Sequence, residues 1–411
     1  MLFKGVSVPV EKGTRLLLML VAAPALGAAA FGCYQFATTV TGLLMLGTEM
    51  GLGVWTLRTL ARDRTHAPVV VGTALRMRGL AIVPYALAIV LLTVVVGPGD
   101  TRIAIAFLAP IALGNAIVDY AATIFRGYER FQDEAWVNIV RALLTAGAGI
   151  GALALRGSVG ALGAGVLAGT AIAALYGLSV LHRRYHLFGA AAGGRFDRGV
   201  ARSAIAEGIP LWLVTLISLL YFRGDVLLLR IYVSNAELGA YSAAYKIFEG
   251  VVIVPGVILA GVFPPLARAH GAHGDPDRQR RWERLLVTML LGLGLLAAAA
   301  IYLGSGRIVA LAYGAGYLRS VASLRILALA IPLLFLNMAL TTILIARNLE
   351  RRNLLFAVLM LAVNAGTNLV LIPRLGGPGA AWATGLTEVA LTICCLIVLR
   401  VGRFQRQERP S

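Results

Sequence analysis

Long apolar stretches alternate with short polar ones along the whole chain. The apolar runs reach roughly 18–25 residues, the length an α-helix needs to cross a hydrocarbon core about 30 Å thick. Twelve spans are predicted, at 7–27, 31–56, 79–97, 103–125, 135–155, 159–181, 204–231, 237–265, 285–303, 321–346, 353–373 and 378–400. The first has the shortest continuous run, Leu16 to Leu26, behind Glu11, Lys12 and Arg15. Strand-type alternation of apolar and polar positions is absent, which argues against a membrane β-barrel. The longest connections, near 182–203 and 266–284, leave no room for an extramembrane domain.

The polar segments carry a second pattern. Alternate loops are rich in arginine: Arg58, Arg62, Arg64, Arg76 and Arg78; Arg126 and Arg130; Arg183, Arg184, Arg195, Arg198 and Arg202; Arg268, Arg278, Arg280, Arg281 and Arg284; Arg347, Arg351 and Arg352. The tail adds Arg400, Arg403, Arg406 and Arg409, whereas the intervening loops hold only Arg102, Arg156, Arg230, Arg307 with Arg319, and Arg374. The positive-inside rule therefore places the rich loops and both termini in the cytoplasm. A missed or extra span in mid-chain would scramble this alternation.

Composition agrees. Of 411 residues, 59% are hydrophobic and 14% charged, against about 25% charged in an ordinary soluble domain, and mean hydropathy is +0.83. A soluble enzyme is excluded. Lys+Arg 37 against Asp+Glu 19 gives a net charge of +18. In a soluble protein that surplus would point to nucleic acid. Here it resides in loops with no basic patch interleaved with aromatics, so no nucleic-acid partner is expected. Cys33, Cys394 and Cys395 lie in apolar segments, without metal-ligand spacing or a disulfide framework. His182, His186, His270 and His273 fall in basic loops and read as solvated. No P-loop, HExxH, GxSxG or CxxC pattern occurs. The charged start, with no small-residue cleavage site behind it, argues against a cleaved signal peptide.

The chain also repeats itself at an offset of about 206–221 residues. Phe31-Gly32-Cys33-Tyr34 resembles Leu238-Gly239-Ala240-Tyr241, and Leu60-Ala61-Arg62 matches Leu266-Ala267-Arg268. Further on, Arg126-Gly127-Tyr128-Glu129-Arg130 resembles Arg347-Asn348-Leu349-Glu350-Arg351, and Gly160-Ala161 matches Gly379-Ala380. An offset of six helices keeps both halves in one orientation, as in parallel repeats related by an axis along the membrane normal. The expected fold is all-α, with about twelve transmembrane helices in two six-helix lobes. The boundaries are 1–181 for the N-terminal lobe, 182–203 for a cytoplasmic linker, 204–400 for the C-terminal lobe and 401–411 for a basic tail. A cavity is expected between the lobes.

A charge at the bilayer centre costs about 2.5–3.5 kcal/mol, so each intramembrane charge is a functional candidate. The set is Glu11, Lys12, Arg15, Asp119, Arg141, Glu207, Arg223, Asp225, Lys246, Glu249 and Glu388. Glu11 and Arg15 share a helix face, as do Lys246 and Glu249. Arg223 and Asp225, two apart, point in different directions. Glu207 reads as interfacial, and Arg230, Arg319 and Arg325 as snorkelling or near the outer surface. Glu249 has two readings, a neutraliser of Lys246 or a functional acid. Arg141, Arg223 and Lys246 lie well inside apolar helices without enough local acids, which implies an anion from elsewhere. Arginine suits phosphate because its planar donors grip oxygens in pairs. Pro210 and Pro255 are expected to kink their helices. Gly147, Gly151, Gly163 and Gly169 are expected to let helices pack closely.

Several of these residues sit in motifs that resemble a known family. The stretches Tyr221-Phe222-Arg223-Gly224-Asp225, Leu238-Gly239-Ala240-Tyr241-Ser242 and Phe263-Pro264-Pro265-Leu266 are similar to the middle of bacterial polysaccharide-unit flippases. These belong to the multidrug/oligosaccharidyl-lipid/polysaccharide exporter superfamily. Leu26-Gly27, Phe125-Arg126-Gly127-Tyr128-Glu129-Arg130, Tyr313-Gly314 and Ile372-Pro373 add to the likeness, which covers nearly the whole chain. The short, charged first helix departs from the family's usual longer one.

The resemblance implies a non-enzymatic transporter in the bacterial cytoplasmic membrane. It would move a polyprenyl-diphosphate-linked oligosaccharide by alternating access, beside polymerase or assembly proteins of surface polysaccharide synthesis. The diphosphate is expected on Arg15, Arg141, Arg223 and Lys246. Glu11, Asp119, Asp225 or Glu249 would take a coupling H⁺ or Na⁺, with no cofactor. The competing readings are an exporter of drugs or of another lipid-linked precursor, and a membrane polymerase or ligase. The short outer loops disfavour the enzyme.

Overall fold

Inside a bilayer every backbone N–H and C=O must find its partner within its own segment, so apolar runs of this length become helices. The computed structural model describes residues 2–185, 196–269, 276–347 and 349–407, and among them no strand occurs. The first half holds α1 (Leu2–Glu49), α2 (Leu52–Arg62), α3 (Ala67–Val96), α4 (Asp100–Gly127), α5 (Phe131–Leu155) and α6 (Val159–Tyr185). The second holds α7 (Arg198–Tyr232), α8 (Asn235–Ala269), α9 (Pro276–Tyr313), α10 (Ser320–Ala346), α11 (Glu350–Leu375) and α12 (Gly377–Gln407). His186, His270, His273, Arg195, Asn348 and Arg409 lie outside the described residues, as do residues 186–195 of the expected linker.

Eleven of the described helices are long and apolar enough to cross a membrane. The first of these stretches, Ser7–Glu49, has 43 residues, about 65 Å if straight, which is twice a bilayer core. It is not straight. Gly27 adopts φ 77°, ψ 163°, a region that glycine alone enters without strain. Gln35 Nε2 then reaches Met19 Sδ at 4.0 Å, where a continuous helix would hold them about 24 Å apart. The chain folds back at Gly27, and α1 contains both the first and the second predicted span.

The second span differs from expectation at its end. It does not run on through residue 56. Met50 (φ 42°) and Gly51 (φ 74°) break the helix before α2 restarts. The cause is a close backbone approach: a methyl group on Gly51 would lie 2.1 Å from the Gly208 carbonyl oxygen. Conversely, α3 begins twelve residues ahead of its expected start, because Ala67 to Ala74 is itself apolar and Pro68 sits at the helix entry, where its missing N–H costs nothing.

The described chain forms two compact units, Met1–Leu219 and Leu220–Ser411. The division falls within α7, beyond the expected linker 182–203. The first part of α7 packs on unit 1: Ala201 and Ala204 join its core, and Trp212 Nε1 donates to the Leu46 carbonyl at 2.8 Å.

In unit 1, α4 and α5 pack on α1 and α6. Gly165 and Gly169 let α5 and α6 touch backbone to backbone, since methyl groups there would meet the carbonyl oxygens of Ala148 and Leu144 at 2.3 and 2.4 Å. This is the small-xxx-small spacing of membrane helix pairs. Gly163 likewise admits the Phe107 side chain, whereas Gly147 and Gly151 face open space and pack against nothing. In unit 2, α10 is the most buried span, contacted by α8, α9 and α12, with α11 against α12.

Candidate functional site

In each unit a cluster of charges on its membrane-length helices gathers several of the predicted residues. In unit 1 the cluster is positioned by the α4–α5 turn. Asp133 and Glu134 occupy the first turn of α5, where carboxylates complement the helix dipole. There Glu134 meets Arg126 at 3.2 Å, and Asp133 meets Arg184 at 2.7 Å and Arg130 at 3.5 Å. These bonds tie the ends of α4, α5 and α6 together. About two turns further along α5 stands Arg141, which is 8% exposed. It donates to Asp119 Oδ1 at 2.5 Å, Glu11 Oε1 at 3.0 Å and Asn138 Oδ1 at 3.2 Å. The cation is buried, yet the Glu11 and Asp119 side chains are 43% and 61% exposed. One arginine is thus flanked by two open carboxylates.

In unit 2 the cluster spans α7 and α8, which reverse direction at Val233–Ser234. Arg223 Nη2 donates to Glu249 Oε1 at 2.7 Å, and Lys246 Nζ to Glu249 Oε2 at 2.6 Å. Lys246 lies one helical turn before Glu249, the spacing that brings side chains together. Lys246 and Arg223 are largely buried, and Glu249 is 37% exposed. Here one open carboxylate sits between two cations. Asp225, 5% exposed, turns away from Arg223. It accepts the Tyr241 hydroxyl and the Val226 N–H.

Three of the predicted residues thus meet in unit 2 (Arg223, Lys246 and Glu249), with Asp225 turned to Tyr241, and three in unit 1 (Glu11, Asp119 and Arg141). Arg15 joins neither group: it is exposed and makes no hydrogen bond or ion pair among the described residues. Glu11, although one turn from Arg15, bonds Arg141 instead. The expectation that the buried cations lack local acids is corrected, because Arg141, Arg223 and Lys246 all touch carboxylates. Glu207 is exposed and accepts from Ser203 at 2.9 Å. Arg325 is also exposed, bonding Ser305 at 2.9 Å with the Tyr302 ring 5.8 Å away.

Sequence reasoning gave no role to Asn138, Tyr221, Tyr241 or Asn337. Asn138 and Asn337 are polar residues inside apolar runs, and that was the available signal. Tyr221 and Tyr241 lie in motifs that resemble the flippase family, and nothing in their spacing marks them as partners of Glu388 or Asp225. Outside the spans, between α2 and α3, the Asp63 carboxyl is held down to about 2. Hydrogen bonds from the Thr65 hydroxyl, His66 and the Thr65 N–H favour its ionised form. Among the described residues no group of three metal-ligating side chains occurs.

A family model for polysaccharide biosynthesis proteins matches residues 5–270. The chain belongs to this family. No curated protein matches the sequence of this polysaccharide biosynthesis protein. Its fold is that of solved transporters of the MOP superfamily. One is an inward-facing multidrug resistance MATE family transporter (TM-score 0.76, 15% identity, covering 97% of this chain and 96% of that one). Another is the lipid II flippase MurJ in an inward closed conformation (TM-score 0.76, 13% identity, 97% and 87%). A third is a MOP superfamily transporter from Pyrococcus furiosus described as having a binding pocket of reverse polarity (TM-score 0.60, 15% identity, 98% and 95%). At these identities the likeness is one of fold.

Proposed function

We propose that this polysaccharide biosynthesis protein is a flippase that carries a polyprenyl-diphosphate-linked oligosaccharide across the bacterial cytoplasmic membrane by alternating access, with both termini cytoplasmic. The observation that carries the reading is the pairing of buried cations with open carboxylates. Arg141, Arg223 and Lys246 already hold anionic oxygens, and those oxygens belong to side chains that reach an accessible surface. A diphosphate offers the same oxygens with more charge, and arginine binds them in pairs. In unit 2 it would displace Glu249 from Arg223 and Lys246; in unit 1 it would displace Glu11 or Asp119 from Arg141, with Arg15 as a further exposed cation of that unit. The released carboxylates would take up H⁺ or Na⁺, and would return to the cations when the lipid leaves and that ion is given up. Asp225 keeps its own donors and is placed to orient Tyr241 behind the exchange.

The test is flipping of a labelled polyprenyl-diphosphate oligosaccharide in proteoliposomes. Arg141→Ala and the Arg223→Ala/Lys246→Ala pair should abolish flipping while the protein stays in the membrane. Full activity in both would sink the anion-exchange site. Cells lacking the protein should accumulate the complete lipid-linked unit on the cytoplasmic side; accumulation on the outer side would point to a polymerase or ligase. A second reading, export of a cationic drug, draws on unit 1, where two carboxylates share one arginine. It predicts drug hypersensitivity of the same cells with no lipid-linked unit accumulated.

A further inference from the structure

Unit 2 contains a further ionisable residue inside its spans that the Arg223–Glu249–Lys246 cluster does not use. Glu388 on α12 is 3% exposed. Its Oε1 accepts the Tyr221 hydroxyl from α7 at 3.0 Å, and its Oε2 accepts Asn337 Nδ2 from α10 at 2.7 Å. The same Nδ2 also donates to the Glu388 carbonyl at 2.8 Å, while Asn337 Oδ1 is taken by the Thr392 hydroxyl at 2.8 Å. The orientation of Asn337 is therefore fixed from both ends.

The titratable groups facing Glu388 are Tyr221 from α7, Tyr245 from α8 and Cys395 from α12 itself. Asn337 from α10 is neutral, and the α11 residue at this level, Asn364, bonds Thr387 rather than the carboxyl. Among the described residues Glu388 forms no ion pair with a cation. A buried carboxylate in this setting needs a positive charge from outside. A metal ion would need several oxygens turned toward it, but this shell presents an amide N–H₂ and a hydroxyl hydrogen. A proton fits without rearrangement. On ionised Glu388 the Tyr221 hydroxyl donates. On protonated Glu388 the carboxyl O–H donates to the Tyr221 oxygen, and Asn337 keeps its bond to Oε2.

We propose that Glu388 is a proton-carrying site of this protein, and that Tyr221 reports its protonation to α7. Tyr221 is two residues from Arg223 and four from Asp225, so one helical turn of α7 bonds Glu388, Glu249 and Tyr241. Protonation reverses the direction of the Tyr221 bond and replaces a charge-assisted contact by a neutral one, roughly halving its strength. Loading and unloading of the proton thereby changes the hold of α12 on the helix that carries the anion-binding arginine. The coupling role rests on the flippase reading above; the protonation itself does not.

The experiment has two readouts on purified full-length protein. Infrared difference spectra between low and high pH should show a carboxyl band that is missing in Glu388→Gln and shifts its midpoint in Tyr221→Phe. The band should be the same in Na⁺ and K⁺. In proteoliposomes, Glu388→Gln should reduce the stimulation of flipping by an imposed pH gradient and keep flipping down a substrate gradient. A titrating band without any flipping by the wild type would leave the proton site standing and overturn the transport reading. Flipping by the wild type with an unchanged gradient response in Glu388→Gln, no Glu388 band at any pH, or a band displaced by Na⁺ would each overturn the proton-carrying site.

Discussion

The two units carry charge clusters of opposite plan. In unit 1 a single buried cation, Arg141, is shared by two exposed acids; in unit 2 a single half-open acid, Glu249, is shared by two buried cations. The motifs at Phe31-Gly32 and Leu238-Gly239 repeat between the halves, but the charges do not. Glu11, Asp119 and Arg141 come from α1, α4 and α5, whereas Arg223, Lys246 and Glu249 come from the α7–α8 pair alone. The repeat therefore fixes the framework, and each half has its own chemistry. An anion meets competition from two carboxylates in unit 1 and from one in unit 2.

The same asymmetry holds at the turns, where the largest effect on stability is expected. Gly376 (φ 59°) precedes α12, and a methyl group there would lie 1.9 Å from Glu237 Oε1, which accepts the Gly377 N–H at 2.9 Å. Gly376→Ala should therefore strain the backbone and evict that carboxylate, costing roughly 2–4 kcal/mol. Gly27, a positive-φ turn glycine of unit 1, meets nothing within 4 Å, and Gly27→Ala should cost only the backbone strain, about 1–2 kcal/mol. Thermal unfolding in detergent reads both; equal shifts would contradict the Glu237 explanation.

Next comes the shared acid. Glu249→Gln removes the carboxylate that bridges Arg223 and Lys246. The loss should be about 1–3 kcal/mol, less than for a fully buried pair, because Glu249 is 37% exposed. Its counterpart Glu11→Gln leaves Arg141 with Asp119, so it should cost under about 1 kcal/mol. A thermal shift for Glu11→Gln as large as for Glu249→Gln would erase the distinction between the two plans.

The smallest effect lies outside both clusters, at Asp63. Its carboxyl is lowered from 3.8 to about 2 in the folded protein, so its contribution to stability is present above pH 3.8 and is lost as the pH falls toward 2. Asp63→Asn should flatten the stability slope in that window and lose at pH 7 the small contribution that the ionised carboxyl makes there, as followed by helical circular dichroism.

The helices were legible in the sequence because bilayer thickness imposes a length on every apolar run. The turn at Leu26-Gly27 was legible for the same reason, as the gap between two such runs. The break at Met50-Gly51 was not. It arises from contact with Gly208, more than 150 residues away, and Gly51 and Gly53 do not stand out in a chain with 47 glycines. The charged residues were legible as a set, since each interrupts an apolar run. Their partners were not, because spacing along one helix does not reveal which helix faces it: Glu11 bonds Arg141 across the unit in preference to its neighbour Arg15. Glu388 stood out as a buried acid, but its role depends on Tyr221 and Asn337, which only the packing of α7 and α10 brings to it.

One helix of unit 1 is held very unevenly. Along α3, Ala67, Val70, Val71, Ala74 and Met77 are buried, whereas Leu80, Val83, Leu87, Val90, Leu91, Val94 and Val95 are exposed. Arg78 still ties the helix inward, to Glu49 at 3.5 Å and over the Tyr120 ring at 4.4 Å; beyond it the Tyr85 hydroxyl donates to the Ala109 carbonyl at 3.0 Å. The helix has 30 residues, about 45 Å, which exceeds a hydrocarbon core of about 30 Å. Its C-terminal half thus presents an apolar face, and a helix longer than the core that would cover it is expected to tilt as the surrounding acyl chains shorten.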